Sequence, residues 1–163
     1  MNVNFQLKQD AQLLWPTLRL EEFFDGAVTG WGVTQGRFGG LQNQFRIAAK
    51  GHWKARRSLL LLTETYSFDD GHIDTLTWKI EKGDGGYRGK ETRIPGFAEG
   101  KHDGNGLRWQ YRRRVPQKGG GERLLSFDDR FWLQERDVLV SRASVTKFGV
   151  EIATISAFFI RGH

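Results

Sequence analysis

Apolar and polar positions alternate along most of the chain after Gln42, in short runs broken by turn residues. The clearest runs are residues 124–133 (LLSFDDRFWL) and 138–146 (VLVSRASVT), which only a short polar turn separates. This alternation predicts antiparallel β-strands, and many such strands in succession favour a barrel, because closure removes exposed strand edges. The interior of a small closed barrel is then the first place to look for a site.

The strand series predicts an all-β fold, a single closed antiparallel up-and-down β-barrel of about ten strands. Glycine-rich turns separate the runs, and glycine supplies the positive φ that tight hairpins need. No linker or shift in composition divides the chain, so we expect one domain over residues 1–163 with the barrel in residues 28–160. The predicted strands are residues 28–37, 43–54, 58–68, 74–82, 86–93, 97–102, 106–115, 122–134, 138–147 and 150–160.

Helical spacing occurs only before the strands, in residues 1–26. Leu7, Ala11 and Leu14 share one helical face, Pro16 interrupts it, and a second short turn covers residues 18–24. We expect this segment to be a short helical cap on one end of the barrel.

The charge balance narrows the possible partners. Lys and Arg number 25 and Asp and Glu number 19, which gives a formal net charge of +6. A positive excess can attract nucleic acid or an anionic membrane, but the basic residues are dispersed and their densest run is only residues 112–114. We interpret most of the excess as solvated surface. Nucleic acid is therefore a disfavoured partner, while peripheral membrane contact and the oligomeric state stay open.

Several chemistries find no support in the sequence. There is no cysteine, so thiolate catalysis, disulfides and cysteine metal sites are excluded. The four histidines lack the spacing that aims two imidazoles at one metal, and we predict neither a metal site nor a cofactor. The motif Gly-x-Ser-x-Gly is absent, and the glycine-rich segments lead into strands, whereas a phosphate loop leads into a helix.

Tryptophan is the most informative residue type in this chain. Five of the six tryptophans fall on five different predicted strands, and these are Trp31, Trp53, Trp78, Trp109 and Trp132. Core packing explains any one of them, but an inward tryptophan in a barrel also lines the pocket that the barrel contains. If they face outward, tryptophans interleaved with arginines can instead stack nucleic-acid bases.

Polar side chains on the predicted strands are the other candidates. If residues 135–137 form a hairpin turn, Asp128, Trp132 and Arg142 share one face, with Asp128 diagonal to Arg142. Two interpretations stay open: either this face meets water, or it points inward and Arg142 binds a ligand carboxylate or pairs with Asp128. We carry the second forward as a hypothesis, because the planar guanidinium suits a carboxylate and stays charged when partly buried.

The same question of face arises on three other strands. The sets that share a face are Trp31, Gln35 and Arg37; Glu64, Tyr66 and Phe68; and Trp109, Tyr111 and Arg113. We assign no catalytic residue, but in an enzyme an inward Asp128, Glu64 or Tyr111 would be the acid or base. The candidate ligand-binding residues are Trp31, Gln35, Arg37, Trp78, Trp109, Tyr111, Asp128, Trp132 and Arg142.

A series of short motifs resembles the bacterial domain of unknown function family 3833, whose members are often described as lipoproteins. Single motifs are weak, but their order and spacing over residues 18–160 are specific. They are residues 20–26 (LEEFFDG), Trp31-Gly32, Gln35, Arg37, residues 68–71 (FDDG), 78–80 (WKI), 104–111 (GNGLRWQY), 127–129 (FDD), 137–143 (DVLVSRA) and 146–149 (TKFG). The resemblance implies a lipocalin-like (calycin) barrel without an established activity, and gene neighbourhoods rich in fatty-acid modification, which favour a lipid-related role.

This sequence departs from the lipoprotein pattern, because it has neither a signal segment nor a cysteine to carry lipid. We therefore expect a cytoplasmic protein, or a periplasmic or membrane-associated one if a leader has been removed. The expected function is non-enzymatic binding of a small apolar or amphipathic ligand, such as a fatty-acyl compound, inside the barrel. Two alternatives stay open: a lipid cyclase, isomerase or hydratase on the same barrel, and a basic module that binds nucleic acid or an anionic membrane.

Overall fold

The computed structural model describes residues 15–162, and most of them lie in ten β-strands. One short helix, α1 (Leu20–Phe23), precedes the strands, and a 3₁₀ turn (Ala55–Arg57) follows the second strand. No helix within this part of the chain is long and apolar enough to cross a lipid bilayer. The strands are β1 (Gly26–Gly36), β2 (Leu41–Lys54), β3 (Leu59–Phe68), β4 (Ile73–Gly83), β5 (Gly86–Lys90), β6 (Ala98–Asp103), β7 (Gly106–Pro116), β8 (Glu122–Glu135), β9 (Val138–Lys147) and β10 (Val150–Arg161).

These strands form a closed antiparallel barrel. Each strand pairs with its sequence neighbours, and β1 closes the barrel by pairing with β10, from Val28 opposite Arg161 to Gly36 opposite Ala153. The predicted lipocalin-like up-and-down barrel is confirmed, and every predicted strand corresponds to one observed strand. β5 ends at Lys90, earlier than predicted, because Glu91 leaves the ladder and forms an ion pair with Arg113.

Helix α1 covers one end of the barrel, as predicted for residues 18–24. An isolated helix of four residues is unstable in water, so tertiary contacts hold this one. Its residue Glu21 accepts hydrogen bonds from Lys82 and from the Tyr87 hydroxyl. Burial raises the pKa of Glu21, but the hydrogen bonds from Lys82 and Tyr87 outweigh it and leave the pKa lowered. The predicted helical face of Leu7, Ala11 and Leu14 lies outside the described residues.

A glycine at the end of β2 allows this cap to approach the barrel closely. A Cβ on Gly51 would lie 1.7 Å from the Phe24 carbonyl oxygen, which is closer than any real contact. Close contact between the cap and the barrel end therefore depends on the absence of a side chain at Gly51. The hairpin turns between β1 and β2, β3 and β4, β7 and β8, and β9 and β10 lie at the opposite end, which we call the rim.

The strand pairing in the barrel wall is shortest between β5 and β6. β5 pairs with β6 over four residues, whereas β7 pairs with β8 over ten. Residues 91–97 connect these two short strands, and Ile94 in this connection is buried in the core cluster. The connection fills the wall where the two strands stop.

Candidate functional site

The inner faces of the strands enclose a cavity of about 160 Å³ with a mostly apolar wall. Leu20 and Phe24 line it from the cap end. Trp78 and Trp109 lie in its wall, edge to face, with ring centroids 5.6 Å apart. The enclosed space accordingly has rigid aromatic sides, because large rings packed against one another have few alternative positions.

Two glycines determine where Trp109 lies. A Cβ on Gly89 would lie 2.5 Å from the Trp109 ring, and one on Gly100 would lie 2.6 Å from it. The bare backbone of β5 and β6 therefore leaves room for the indole to lie against the wall. With any side chain at either position the ring would be displaced.

Four titratable side chains line this apolar cavity, and we call them the polar cluster. They are Glu64 and Tyr66 from β3, Tyr111 from β7 and Asp129 from β8. The Tyr66 hydroxyl donates a hydrogen bond to Glu64 Oε2 at 2.8 Å. Asp129 Oδ1 is buried and has no hydrogen-bond partner in residues 15–162. An unsatisfied carboxyl oxygen in an apolar cavity is costly, so it marks the point where a ligand would gain most.

Burial controls the protonation of the polar cluster. It raises the pKa of Asp129 to about 8; interaction with the Tyr111 hydroxyl opposes the rise, and the charges of Glu64 and Asp128 add to it. Burial also raises the pKa of Glu64, against the hydrogen bond from Tyr66. Burial and the neighbouring carboxylates raise the pKa of both tyrosines well above the usual range. Asp129 is thus mostly a neutral acid at pH 7, able to donate one hydrogen bond and accept others.

Arg113 is the inward cation nearest this cluster, and it is 6% exposed. Its guanidinium contacts Glu91 Oε2 at 3.3 Å and Asp74 Oδ2 at 3.3 Å. Arg93 completes the arrangement, with Nη1 2.9 Å from Asp74 Oδ1. The charge of Arg113 also opposes the rise in the pKa of Glu64. Since two carboxylates already engage it, Arg113 is an internal structural ion pair and a poor partner for a ligand anion.

The structure places three of the nine sequence-predicted residues inside the barrel. Trp78, Trp109 and Tyr111 line the cavity together, and Tyr111 stacks on Phe127 with ring centroids 4.9 Å apart. No group of His, Cys, Asp or Glu side chains within the described part of the chain has an arrangement that could hold a metal ion.

The hypothesis that Arg142 faces the interior is wrong. Arg142 is exposed, and its neighbours in the sequence, Ser141 and Ala143, line the cavity in its place. Arg142 lies with Trp31 and Trp132 in a separate, more open depression, which also borders Phe45, Ser141 and Ala157 of the cavity.

The inward face of β1 explains why Trp31 lies outside. Cβ atoms on Gly30 and Gly32 would lie 2.8 Å from the Phe159 ring and 2.3 Å from the Phe45 ring. Rings from the neighbouring strands thus occupy the interior beside β1, and only glycine fits there. Trp31 consequently points outward and stacks on Phe158, with ring centroids 5.1 Å apart.

The proposed Asp128–Arg142 pair is also wrong. The register at Asp128 was predicted correctly, opposite Ser144 and diagonal to Arg142, but the predicted turn was wrong, since Glu135 pairs with Val138 after a bulge. The face is the outer one, however, and Asp128 binds Arg108 instead, at 2.9 Å and 2.6 Å. Hydrogen bonds from Arg108 hold the pKa of Asp128 below its usual value, although partial burial opposes them.

Gln35 and Arg37 lie at the β1–β2 turn, away from the cavity. Gln35 Nε2 donates a hydrogen bond to the Gly39 carbonyl at 3.0 Å. The Arg37 guanidinium lies over the Phe38 ring, 5.5 Å from its centroid. Neither residue lines the cavity.

The sequence analysis left open whether Glu64, Tyr66 and Arg113 face the interior of the barrel. It did not single out Asp129. Alternation contains the signal, since Phe127 and Phe131 flank Asp129 on an otherwise apolar face. A carboxylate within such a face is the exception that merits attention.

A closed ten-stranded barrel with an apolar cavity defines a lipocalin-like protein. The family model of DUF3833, proteins of unknown function, matches residues 3–161, and the chain belongs to this family. No protein of curated function matches the sequence significantly.

Two solved structures share the fold at low sequence identity. The S-type phycobiliprotein lyase CPES from Guillardia theta is similar with a TM-score of 0.63 and 11% identity, over 90% of this chain and 94% of that one. A protein of unknown function from the DUF3598 family of Nostoc punctiforme has a TM-score of 0.60 and 14% identity, over 90% of this chain. The match covers 50% of that second protein.

Proposed function

We propose that the protein binds a small apolar or amphipathic ligand, such as a fatty-acyl compound or a related lipid, inside the barrel. The observation that carries the proposal is the apolar cavity with one polar cluster in its wall. Its volume, about 160 Å³, is close to that of an engineered apolar cavity that stays dry and binds benzene, and smaller than typical drug-sized pockets. A space of this size holds a short acyl chain or one end of a long one, so a slender ligand fits better than a broad one. The shared fold of a phycobiliprotein lyase supports small-molecule handling by a barrel of this type.

The polar cluster suggests which ligand headgroup is favoured. Neutral Asp129 with a free Oδ1 accepts a hydrogen bond from a hydroxyl, amide or amine. A carboxylate headgroup would meet Glu64 and Asp129 without a free cation, because Arg113 already contacts Asp74 and Glu91. We therefore favour acyl compounds with an uncharged or cationic polar group over free fatty acids.

Native mass spectrometry of protein purified from cells tests this proposal. The unmodified protein should retain an adduct of lipid size. Ala157→Phe places a ring in the cavity and should release the adduct, whereas Ala48→Phe adds the same ring on the outer wall and should leave it bound. Absence of any adduct, also after incubation with 1-decanol, would contradict the proposal. Retention of the adduct by folded Ala157→Phe would contradict it equally.

The raised pKa of Asp129 favours a second candidate, an enzyme of the cyclase, isomerase or hydratase type on the same barrel. A cavity carboxyl whose pKa is raised to about 8 can give and take a proton at useful rates near neutral pH. In that case Asp129→Asn should still bind the co-purified compound but should no longer change its mass or isomer composition. Asp128→Asn is the matched control on the outer face and should keep full turnover. If Asp129→Asn turned over normally, Asp129 would not be the acid or base.

A further inference from the structure

Two neighbouring hairpin turns at the rim each end in an almost fully exposed phenylalanine. Phe38 in the β1–β2 turn is 95% exposed, and Phe148 in the β9–β10 turn is 94% exposed. The turns are adjacent because β1 pairs with β10. Leu41 and Val150, at the start of the strands that follow, are also exposed. Apolar side chains thus concentrate at one corner of the rim.

The backbone at Phe148 is strained in a way that the fold does not require. Lys147 pairs with Val150, which leaves Phe148 and Gly149 as a two-residue turn with φ of +50° and +75°. Positive φ at both positions is the type I′ geometry, for which Asn-Gly is strongly preferred and a bulky residue is unfavourable. A phenylalanine here adds strain and exposes its ring to water at the same time. Strain of this kind points to a role outside folding.

Each exposed ring lies beside a cation. The Arg37 guanidinium is 5.5 Å from the Phe38 ring centroid, and Lys147 Nζ is 5.3 Å from that of Phe148. An aromatic ring beside a long basic side chain matches the boundary between acyl chains and anionic headgroups, where the ring is buried and the cation meets phosphate.

The acidic side chains near these two turns already have partners. Glu151 accepts a hydrogen bond from the Ser144 hydroxyl at 2.5 Å. Asp69, in the β3–β4 turn, accepts one from the Gln44 backbone at 3.0 Å. Neutral donors thus hold both carboxylates, and within residues 15–162 neither of them forms an ion pair with Arg37 or Lys147.

We propose that Phe38 and Phe148 insert together into the headgroup region of an anionic lipid bilayer, with Arg37 and Lys147 on its phosphates. Two separate tips offer too little flat area for a stable protein interface, which buries about 800 Å² per partner. Shallow insertion needs only the rings themselves. This inference goes beyond the proposed function and does not rest on it, since docking requires no ligand in the cavity.

Co-sedimentation of the full chain with vesicles tests the inference. The protein should bind vesicles of phosphatidylcholine with 30% phosphatidylglycerol more strongly than pure phosphatidylcholine. Phe38→Asn and Phe148→Asn should each lower the partition coefficient about tenfold, as expected for removal of one buried ring. Phe148→Asn should also raise the unfolding temperature, because Asn-Gly relieves the strained turn. Loss of binding in a more stable protein cannot result from misfolding.

Phe97 provides a matched control, because it is exposed and lies 4.8 Å from Arg88 and 5.1 Å from Lys90, on the opposite wall at β5 and β6. Phe97→Asn should leave vesicle binding unchanged. Equal losses in Phe97→Asn and Phe148→Asn would overturn the proposal, as would no sedimentation of the unmodified protein. Loss of a dimer in Phe148→Asn, measured without lipid by sedimentation velocity, would show that a second copy occupies the rim and would also overturn it.

Discussion

Asp128 and Asp129 are neighbours in β8, yet their side chains lie on opposite faces of the barrel wall. Arg108 holds Asp128 on the outer face with two hydrogen bonds and lowers its pKa. Asp129 lies on the inner face with an unpartnered oxygen, and burial raises its pKa to about 8. The same chemical group is thus an ion on one side and mostly a neutral acid on the other. Which face a strand residue occupies determines the chemistry it can perform.

Ion pairs show the same contrast between the two faces. Outside, Arg130 contacts Asp103 at 2.9 Å, with both side chains about half exposed. Inside, Arg113 contacts Asp74 and Glu91; the Arg113 and Glu91 side chains are almost fully buried, and that of Asp74 is 19% exposed. Exposed pairs contribute little to stability, whereas breaking a buried pair leaves uncompensated charge in a medium that does not solvate it. The following predictions rest on this difference.

The largest effect is expected for Arg113→Ala. Removal of the inward guanidinium leaves Glu91 buried without its cation and Asp74 with Arg93 alone, and the free energy of unfolding should fall by about 3–5 kcal/mol. Urea unfolding monitored by circular dichroism measures it. Arg130→Ala breaks the exposed pair instead and should cost at most about 1 kcal/mol. Equal losses in the two variants would show that the inner and outer ion pairs do not differ.

Asp129→Asn should change how stability depends on pH. The folded protein keeps the Asp129 proton up to about pH 8, whereas the unfolded chain loses it near the ordinary pKa of 3.8. Stability from this group therefore falls as pH rises between these values, by about 1.4 kcal/mol per unit. Asparagine should remove that slope, which urea midpoints at pH 5, 6, 7 and 8 would show.

Asp128→Asn is the comparison variant, because the pKa of Asp128 is shifted in the opposite direction from that of Asp129. Its pKa is lowered in the folded state, so its contribution is present above the ordinary pKa and is lost as pH falls through the lower, folded value. The variant should keep the unmodified slope between pH 5 and 8. A slope that vanished in Asp128→Asn and persisted in Asp129→Asn would reverse the assignment of the two faces.

The smallest effect is expected for Arg142→Ala. The side chain is exposed on the outer wall, so the free energy of unfolding should change by no more than about 0.5 kcal/mol. A loss of several kcal/mol in the same urea assay would mean that Arg142 is buried after all.

The strands could be predicted because alternation and glycine turns are local properties of the sequence. Which face of each strand points inward could not be predicted. Both faces of β8 carry an aspartate and an aromatic ring, so the local pattern does not show which of the two is buried. On β1 the apolar Trp31 suggested the inner face, but rings of Phe45 and Phe159 from other strands occupy that space. Only the closed arrangement determines which side chains compete for the interior, and this information is absent from any single strand.

The short pairing of β5 with β6 has a consequence for the movement of molecules through the wall. A closed sheet exchanges its amide hydrogens only where a ladder opens, and the ladder with the fewest hydrogen bonds opens at the lowest free energy. Parting β5 from β6 would move Gly89 away from Trp109, while Gly100 stays paired with Trp109 across β6 and β7, and would expose the cavity from the side. We therefore expect this seam to open more readily than the rest of the wall, and deuterium uptake in β5 and β6 measures how often it does.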